Sequence, residues 1–322
     1  MRSSSALSGL LCASVVIGLG SISRVATAQS AAQGFAVERL YLSAPGAGWF
    51  VMDDLGMHGG LGGAIALTTS YARKPFRVGS GTDVPVVSDE LFTDFGFAAT
   101  YNRFRLYVNI DAPLSTNGQS SSSDGYQFSA PALTLSSHPD SLSDARIGTD
   151  ARLLGEADSS FRLGVGAQLI FPTGKRPDYD SDGTYRAMGR LLFAGDVGSF
   201  SYAGQLGAHV RPLDQAPAPD GPRGSELLFG AAAGLKFPAN ESGSVAVLIG
   251  PEVFGETAFT SFFGSNATGV EGLLTARLES ADDRGSLLRF KLGAGGGLDP
   301  HFGAPEWRVV GAIEVSDQLS PH

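Results

Sequence analysis

The residues best placed to do chemistry in this chain are charged side chains at alternate positions within apolar runs. Arg103, Arg105, Arg146, Arg152, Arg162, Arg186, Arg190, Arg211, Lys236, Arg277, Arg289, Lys291 and Arg308 fall opposite the greasy face of their segments. Asp111, Asp150, Asp196, Glu226, Glu252, Glu271, Glu306 and Glu314 share that face. On this reading the face carries an excess of about five positive charges, and rings of Arg and Lys around a wet passage favour anions. Alternatively, Arg–carboxylate networks fill and close the interior. The sequence leaves both readings open.

Other chemistries find little support. Pro172-Thr173-Gly174-Lys175 resembles a phosphate loop, but Arg176 follows the lysine and Leu169 stands where the first glycine belongs. Gly293-Ala294-Gly295-Gly296-Gly297 precedes no helical pattern, so it is not read as a dinucleotide site. No G-x-S-x-G or H-E-x-x-H occurs. Of His58, His138, His209, His301 and His322, only His209 falls on the inner face, where a satisfied wall side chain is the expectation. Asp178, Asp180 and Asp182 alternate but depart from the calcium-loop pattern. We therefore expect no catalytic residues, metal or cofactor, and no enzyme.

The elements that would position these charges are strands. In residues 161–171, Phe161, Leu163, Val165, Ala167, Leu169 and Phe171 alternate with Arg162, Gly164, Gly166, Gln168 and Ile170. Successive strand side chains point to opposite faces, so each such run is apolar on one side only. The pattern predicts twelve strands, at 61–71, 91–101, 103–111, 146–155, 161–171, 185–197, 200–211, 226–237, 244–256, 269–279, 287–298 and 305–315. Short turns and longer links alternate between them, the longest link being the Ser-rich 112–145. This is the pattern of an all-β, antiparallel up-and-down barrel crossing an outer membrane, with short periplasmic turns and long outer loops.

Residues 1–28 read as a secretory leader, with Arg2, an apolar core and Ala26-Thr27-Ala28 before the cut. Cys12, the only cysteine, lies inside it. Residues 29–60 are expected as a periplasmic lead-in, with Asp53 and Asp54 in a solvated turn, then the barrel over 61–316 and a tail over 317–322. Charged residues are only 17% of the chain, Gly numbers 44, and the net charge of −9 speaks against nucleic acid as a partner. Outer-membrane lipid, the barrel assembly machinery and small solutes are the expected partners.

Leu169-Ile170-Phe171-Pro172-Thr173-Gly174, an apolar strand followed by a polar Asp/Gly loop, resembles the outer-membrane proteins named after the meta-pathway of phenol degradation. The run 49–71, the Phe-Pro-Thr-Gly strand and Gly224-Ser225-Glu226-Leu227-Leu228-Phe229-Gly230 resemble the amino-terminal barrel of myxobacterial OmpA-family proteins. The first resemblance implies a channel for small compounds. The second implies a barrel that usually continues into a peptidoglycan-binding domain, which is not carried over because this chain stops at His322. The expected function is a passive channel for small solutes with weak anion preference. The alternative is a structural or surface-contact barrel.

Overall fold

The computed structural model describes residues 30–78, 84–123, 125–134, 141–213, 224–264, 267–282, 286–299 and 303–318. The expected leader (1–28), His138, His301 and most of the tail lie outside them.

Twelve strands form the wall: β1 Leu61–Val78, β2 Val84–Tyr101, β3 Phe104–Asn117, β4 Arg146–Leu154, β5 Arg162–Ile170 and β6 Arg186–Val197. They continue as β7 Phe200–Val210, β8 Glu226–Pro238, β9 Val245–Ala258, β10 Thr268–Ala281, β11 Leu287–Asp299 and β12 Trp307–Gln318. Each pairs antiparallel with the next, and β12 closes on β1 through Val309↔Tyr71 and Ile313↔Leu67. The fold is a closed, antiparallel, up-and-down barrel. Closure removes every wall edge, which matters because unpaired backbone groups in hydrocarbon cost several kcal/mol each.

Alternation decides which side chains face in. Along β5, Arg162, Gly164, Gly166, Gln168 and Ile170 turn inward or lie against neighbours, whereas Val165 and Leu169 face out. The exposed side chains are the apolar ones, including Ile65, Phe97, Leu191, Ile249, Leu274 and Leu292. Tyr101, Phe104, Phe161, Phe200 and Phe237 mark the short-turn rim of that surface, and Tyr185 and Trp307 the long-loop rim, as aromatic girdles do.

The first hairpin is longer than its alternation suggests. Residues 72–90, expected as a loop, are mostly paired strand reaching beyond the rim, with Phe76 opposite Val87. Register shifts on either side of Phe76 interrupt the period-two pattern, so the sequence looked irregular there. Likewise β3 runs on to Asn117, and residues 132–134 pair with it inside the 112–145 link.

The largest departure concerns the segment before β1. It is not a periplasmic lead-in, because residues 35–57 run through the barrel interior. Ser30–Ala31 pairs in parallel with Tyr126–Gln127 at the long-loop rim. Phe35 then packs edge-on against Phe76 and Tyr179. The chain descends and folds back in a tight loop, with Gly48 bridged to Asp53. It leaves at the short-turn rim, where Gly60 accepts the N–H of Asn102, and turns up into β1. We call residues 35–57 the plug.

Candidate lumen and plug

The plug has no regular secondary structure and is held by what surrounds it. Trp49, Phe50, Val51 and Met52 form an apolar cluster with Phe92, Leu248, Phe254, Leu273 and Val310 of the wall. Wall glycines lie where the bulkiest plug side chains sit. A Cβ on Gly230 would lie 2.4 Å from Met52 Cε, and one on Gly293 would lie 2.9 Å from Phe50 Cε2. On Gly234 and Gly164 it would crowd Trp49 and Leu55 at 2.9 Å. These inward glycines are recesses shaped to this segment. Gly48 adopts φ +88°, and a side chain there would collide with Asp54 and Arg277, so only glycine fits the loop tip.

Polar contacts fasten the plug along its length. Near the long-loop mouth, Arg308 donates from both terminal nitrogens to Glu38, at 2.8 and 2.9 Å. Its Nε donates to Glu271 at 2.7 Å, and Ser70 Oγ lies 3.0 Å from Nη1. Arg39 of the plug reaches Glu226 at 3.0 Å and Glu256 at 2.7 Å. Midway, Glu252 accepts the backbone N–H groups of Phe50 and Val51, at 3.1 and 3.0 Å, and the hydroxyl of Thr275 at 2.7 Å. Toward the short-turn rim, Arg105 donates to Asp53 at 2.6 Å, and Arg277 lies 3.9 Å from Asp54. Plug carbonyls are taken as well. Arg152 donates to Leu55 O, Arg289 to Gly46 O, Lys291 to Trp49 O and Arg146 to Leu42 O.

The expected inward cations can now be placed. Arg105, Arg146, Arg152, Arg162, Arg186, Arg190, Arg211, Arg277, Arg289, Lys291 and Arg308 are all buried inside the barrel. Arg103 is not among them. It sits in the β2–β3 turn and pairs with Glu156 at the short-turn rim. Lys236 is half-exposed at the same rim, 3.1 Å from Glu279. Glu306, expected inward, lies outside the lumen near Lys74 at 2.9 Å. Asp53, expected in a solvated turn, is buried beside Arg105.

The interior carries little net charge. Among the described residues, twelve buried Arg and Lys face thirteen buried Asp and Glu. The expected excess omitted the plug acids and several wall carboxylates, notably Glu90, Asp94, Glu256 and Glu279. Tyr107 extends this network, its hydroxyl accepting from Arg190 at 2.8 Å and from Gln168 at 2.7 Å.

Outside the membrane-crossing strands, the β5–β6 loop caps the long-loop mouth. Asp182 accepts two hydrogen bonds from Arg211, at 2.8 Å each, and one from the Ala36 N–H. Burial pushes its carboxyl up, but Arg211 and Arg186 outweigh that and hold it far below the usual range. Asp180 is the reverse case. Burial raises it well above the usual carboxylate range, and Asp178 and Asp144 add to the shift.

His209, Glu226 and Glu256 bring ligand atoms within 4.8 Å of one another, a geometry that could hold a metal ion. The carboxylates are already engaged by Arg39, and His209 Nδ1 is 3.1 Å from Glu256. Open space remains beside the plug and at the short-turn rim. A cavity of about 30 Å³, roughly one water's worth, lies beneath Arg39, Tyr41 and Ala304. A vestibule of about 250 Å³ opens at the short-turn rim, lined by Arg105, Arg289, Met57 and His58.

No protein-family model matches the chain, and no curated protein matches it. Among solved structures it is similar to the COG4313 outer membrane channel from Pseudomonas putida F1. The two are 14% identical with a TM-score of 0.50, over 80% of this chain and 95% of that one. The NanC porin aligns at 9% identity and a TM-score of 0.45, over 79% of this chain and all of the other. The first likeness supports the outer-membrane barrel fold. No likeness to an OmpA-family protein is among these findings.

Proposed function

We propose that the protein is an outer-membrane channel for small solutes, with a weak preference for anions, held closed by its own plug. One observation carries this reading. The middle of the lumen is taken up by a separate stretch of chain seated in glycine recesses, with wall-to-wall pairs such as Arg190–Tyr107 beside it. A segment fastened by side-chain contacts can leave, and the wall then encloses a polar passage. The anion preference comes from the charges that lose partners. Withdrawal strips Arg308 of Glu38, Arg105 of Asp53 and Arg277 of Asp54. It removes only one cation, Arg39. The filled lumen also favours a second reading, a rigid barrel that presents the 112–145 link to a contact partner.

Export through a cleaved leader ending at Ala28, insertion by the barrel assembly machinery and residence in outer-membrane lipid belong to the same proposal. The test is conductance of the refolded chain in a planar bilayer under a salt gradient. Brief steps with an anion-biased reversal potential support the channel. Silence from both the native chain and variants that dislodge the plug would overturn it in favour of the structural reading.

A further inference from the structure

The plug's carboxylates share one kind of contact with the wall. Wherever the plug presents a carboxylate, a wall guanidinium receives it. The clearest instance is Arg308, which is fully buried and grips Glu38 with two parallel hydrogen bonds. That fork-to-fork geometry is the one by which Arg selects planar carboxylates. Arg308 is held in place independently of the plug, since Glu271 takes its Nε–H and Ser70 its flank. At the other end of the lumen Arg105 holds Asp53, while its buried Nε has no hydrogen-bond partner among the described residues. Arg277, tied to Glu279 at 3.0 Å, faces Asp54. Arg105 also lines the vestibule at the short-turn rim. Glu38 retains some exposure at the long-loop mouth. Both end stations are therefore reachable without crossing the whole lumen.

We propose that the wall guanidiniums Arg308 and Arg105, with Arg277 beside the latter, are binding stations for small carboxylate-bearing solutes. The plug is then a tethered pseudo-ligand whose Glu38, Asp53 and Asp54 occupy those stations. The proposal rests on the channel reading in that it names the class of anion the open lumen would hold. The ligand competes with the plug and is not bound beside it. A solute bearing two carboxylates can replace plug contacts that a monovalent inorganic anion replaces poorly, because only a planar carboxylate reproduces the paired bonds at Arg308.

The experiment uses the full refolded chain carrying Glu38→Gln, Asp53→Asn and Asp54→Asn together. These amides keep the plug's shape and remove the countercharge that occupies the guanidiniums. Folding is checked by circular dichroism and by heat-modifiable migration on gels. Succinate is titrated by calorimetry, with dimethyl succinate and chloride as controls. The triple variant is expected to bind succinate at least about tenfold more tightly than the native chain, which corresponds to the loss of one competing charge-assisted bond. Adding Arg308→Gln is expected to remove most of that gain. Equal succinate binding by native and triple-variant chains, or binding unaffected by Arg308→Gln, overturns the proposal. If the triple variant does not fold, Glu38→Gln alone, read by the same titration, decides the Arg308 station. Bilayer conductance is read separately. A conducting protein without succinate binding refutes the stations and leaves the channel. Succinate binding by an electrically silent protein does the opposite.

Discussion

Glu252→Gln is the substitution that most directly asks whether the plug is a fastened but movable part. Glu252 is fully buried and joins β9 to the plug through Phe50 N–H and Val51 N–H, with Thr275 as its wall partner. An amide keeps one acceptor oxygen and replaces the other with a donor. If the oxygen stays with Phe50 and Thr275, the Val51 N–H loses its acceptor and meets a second N–H. Losing one hydrogen bond to a charged acceptor costs about 1.5 kcal/mol, and turning two more from charged to neutral costs about 0.5 kcal/mol each. Most of the total of about 2–3 kcal/mol falls on the plug, because the backbone ladders of β8–β9 and β9–β10 are untouched and only the Thr275 hydroxyl bond ties Glu252 to the wall. Amide hydrogen exchange reads this directly. The Phe50 and Val51 amides are expected to exchange about 30- to 150-fold faster, at tenfold per 1.4 kcal/mol. Wall amides such as Leu191 should keep their rates. Uniform acceleration across plug and wall would refute the reasoning, since it would mean that the plug opens only when the barrel unfolds. No acceleration at all would show that Glu252 contributes nothing to holding it.

Gly230→Val puts a branched side chain into the Met52 recess, where even a Cβ would sit 2.4 Å from the thioether methyl. Bilayer recordings of this variant should show more frequent or larger steps than the native chain, and unchanged silence would argue that the plug re-packs in place. Leu274→Arg places a charge on the exposed face of β10. It should destabilise the barrel by about 2–4 kcal/mol in lipid, read by urea unfolding in vesicles, and a neutral result would mean that this face does not meet hydrocarbon. Asp180→Asn tests the outer cap. The folded value of Asp180 is raised, so the folded cap binds a proton that the unfolded loop has released above pH about 3.9. Cap stability should therefore fall as pH rises from there through the raised value. Asn should remove that slope, with the pH dependence of amide exchange in residues 176–182 as the readout; an unaltered slope assigns it to another group. Asp182, held low by Arg211 and Arg186, works in the opposite sense: its contribution is fully present above pH about 3.9 and is lost progressively as pH falls below that.

The wall was legible because burial on one side writes itself into every second residue. In β5, β6 and β11 a single-residue slip would turn arginines into lipid, so the register is strongly specified. The paired extension of the first hairpin was not legible, because its register shifts break the period where Lys74 and Pro75 intervene. The plug was hidden for a different reason. A segment surrounded on all sides has no exposed face, so it shows no alternation to read. Trp49, Phe50, Val51 and Met52 form one unbroken apolar run, which suits an enclosed strand of chain as well as an interfacial one. The inward placement of the arginines followed from parity alone, but parity is silent on partners. Arg308 gave no sign in the sequence that Glu38, far away along the chain, would neutralise it.

The path of the plug also constrains how the molecule can be made. The segment enters at the long-loop rim beside Tyr126, traverses the interior, and at the short-turn rim becomes β1, the strand that closes against β12. The chain thus runs through a ring sealed by its own continuation. Once the β12–β1 seam has formed, the segment can be seated or removed only lengthwise, by drawing a free end through the bore. Seam closure is therefore the natural last step of folding, taken around a segment already laid in the trough of the open sheet.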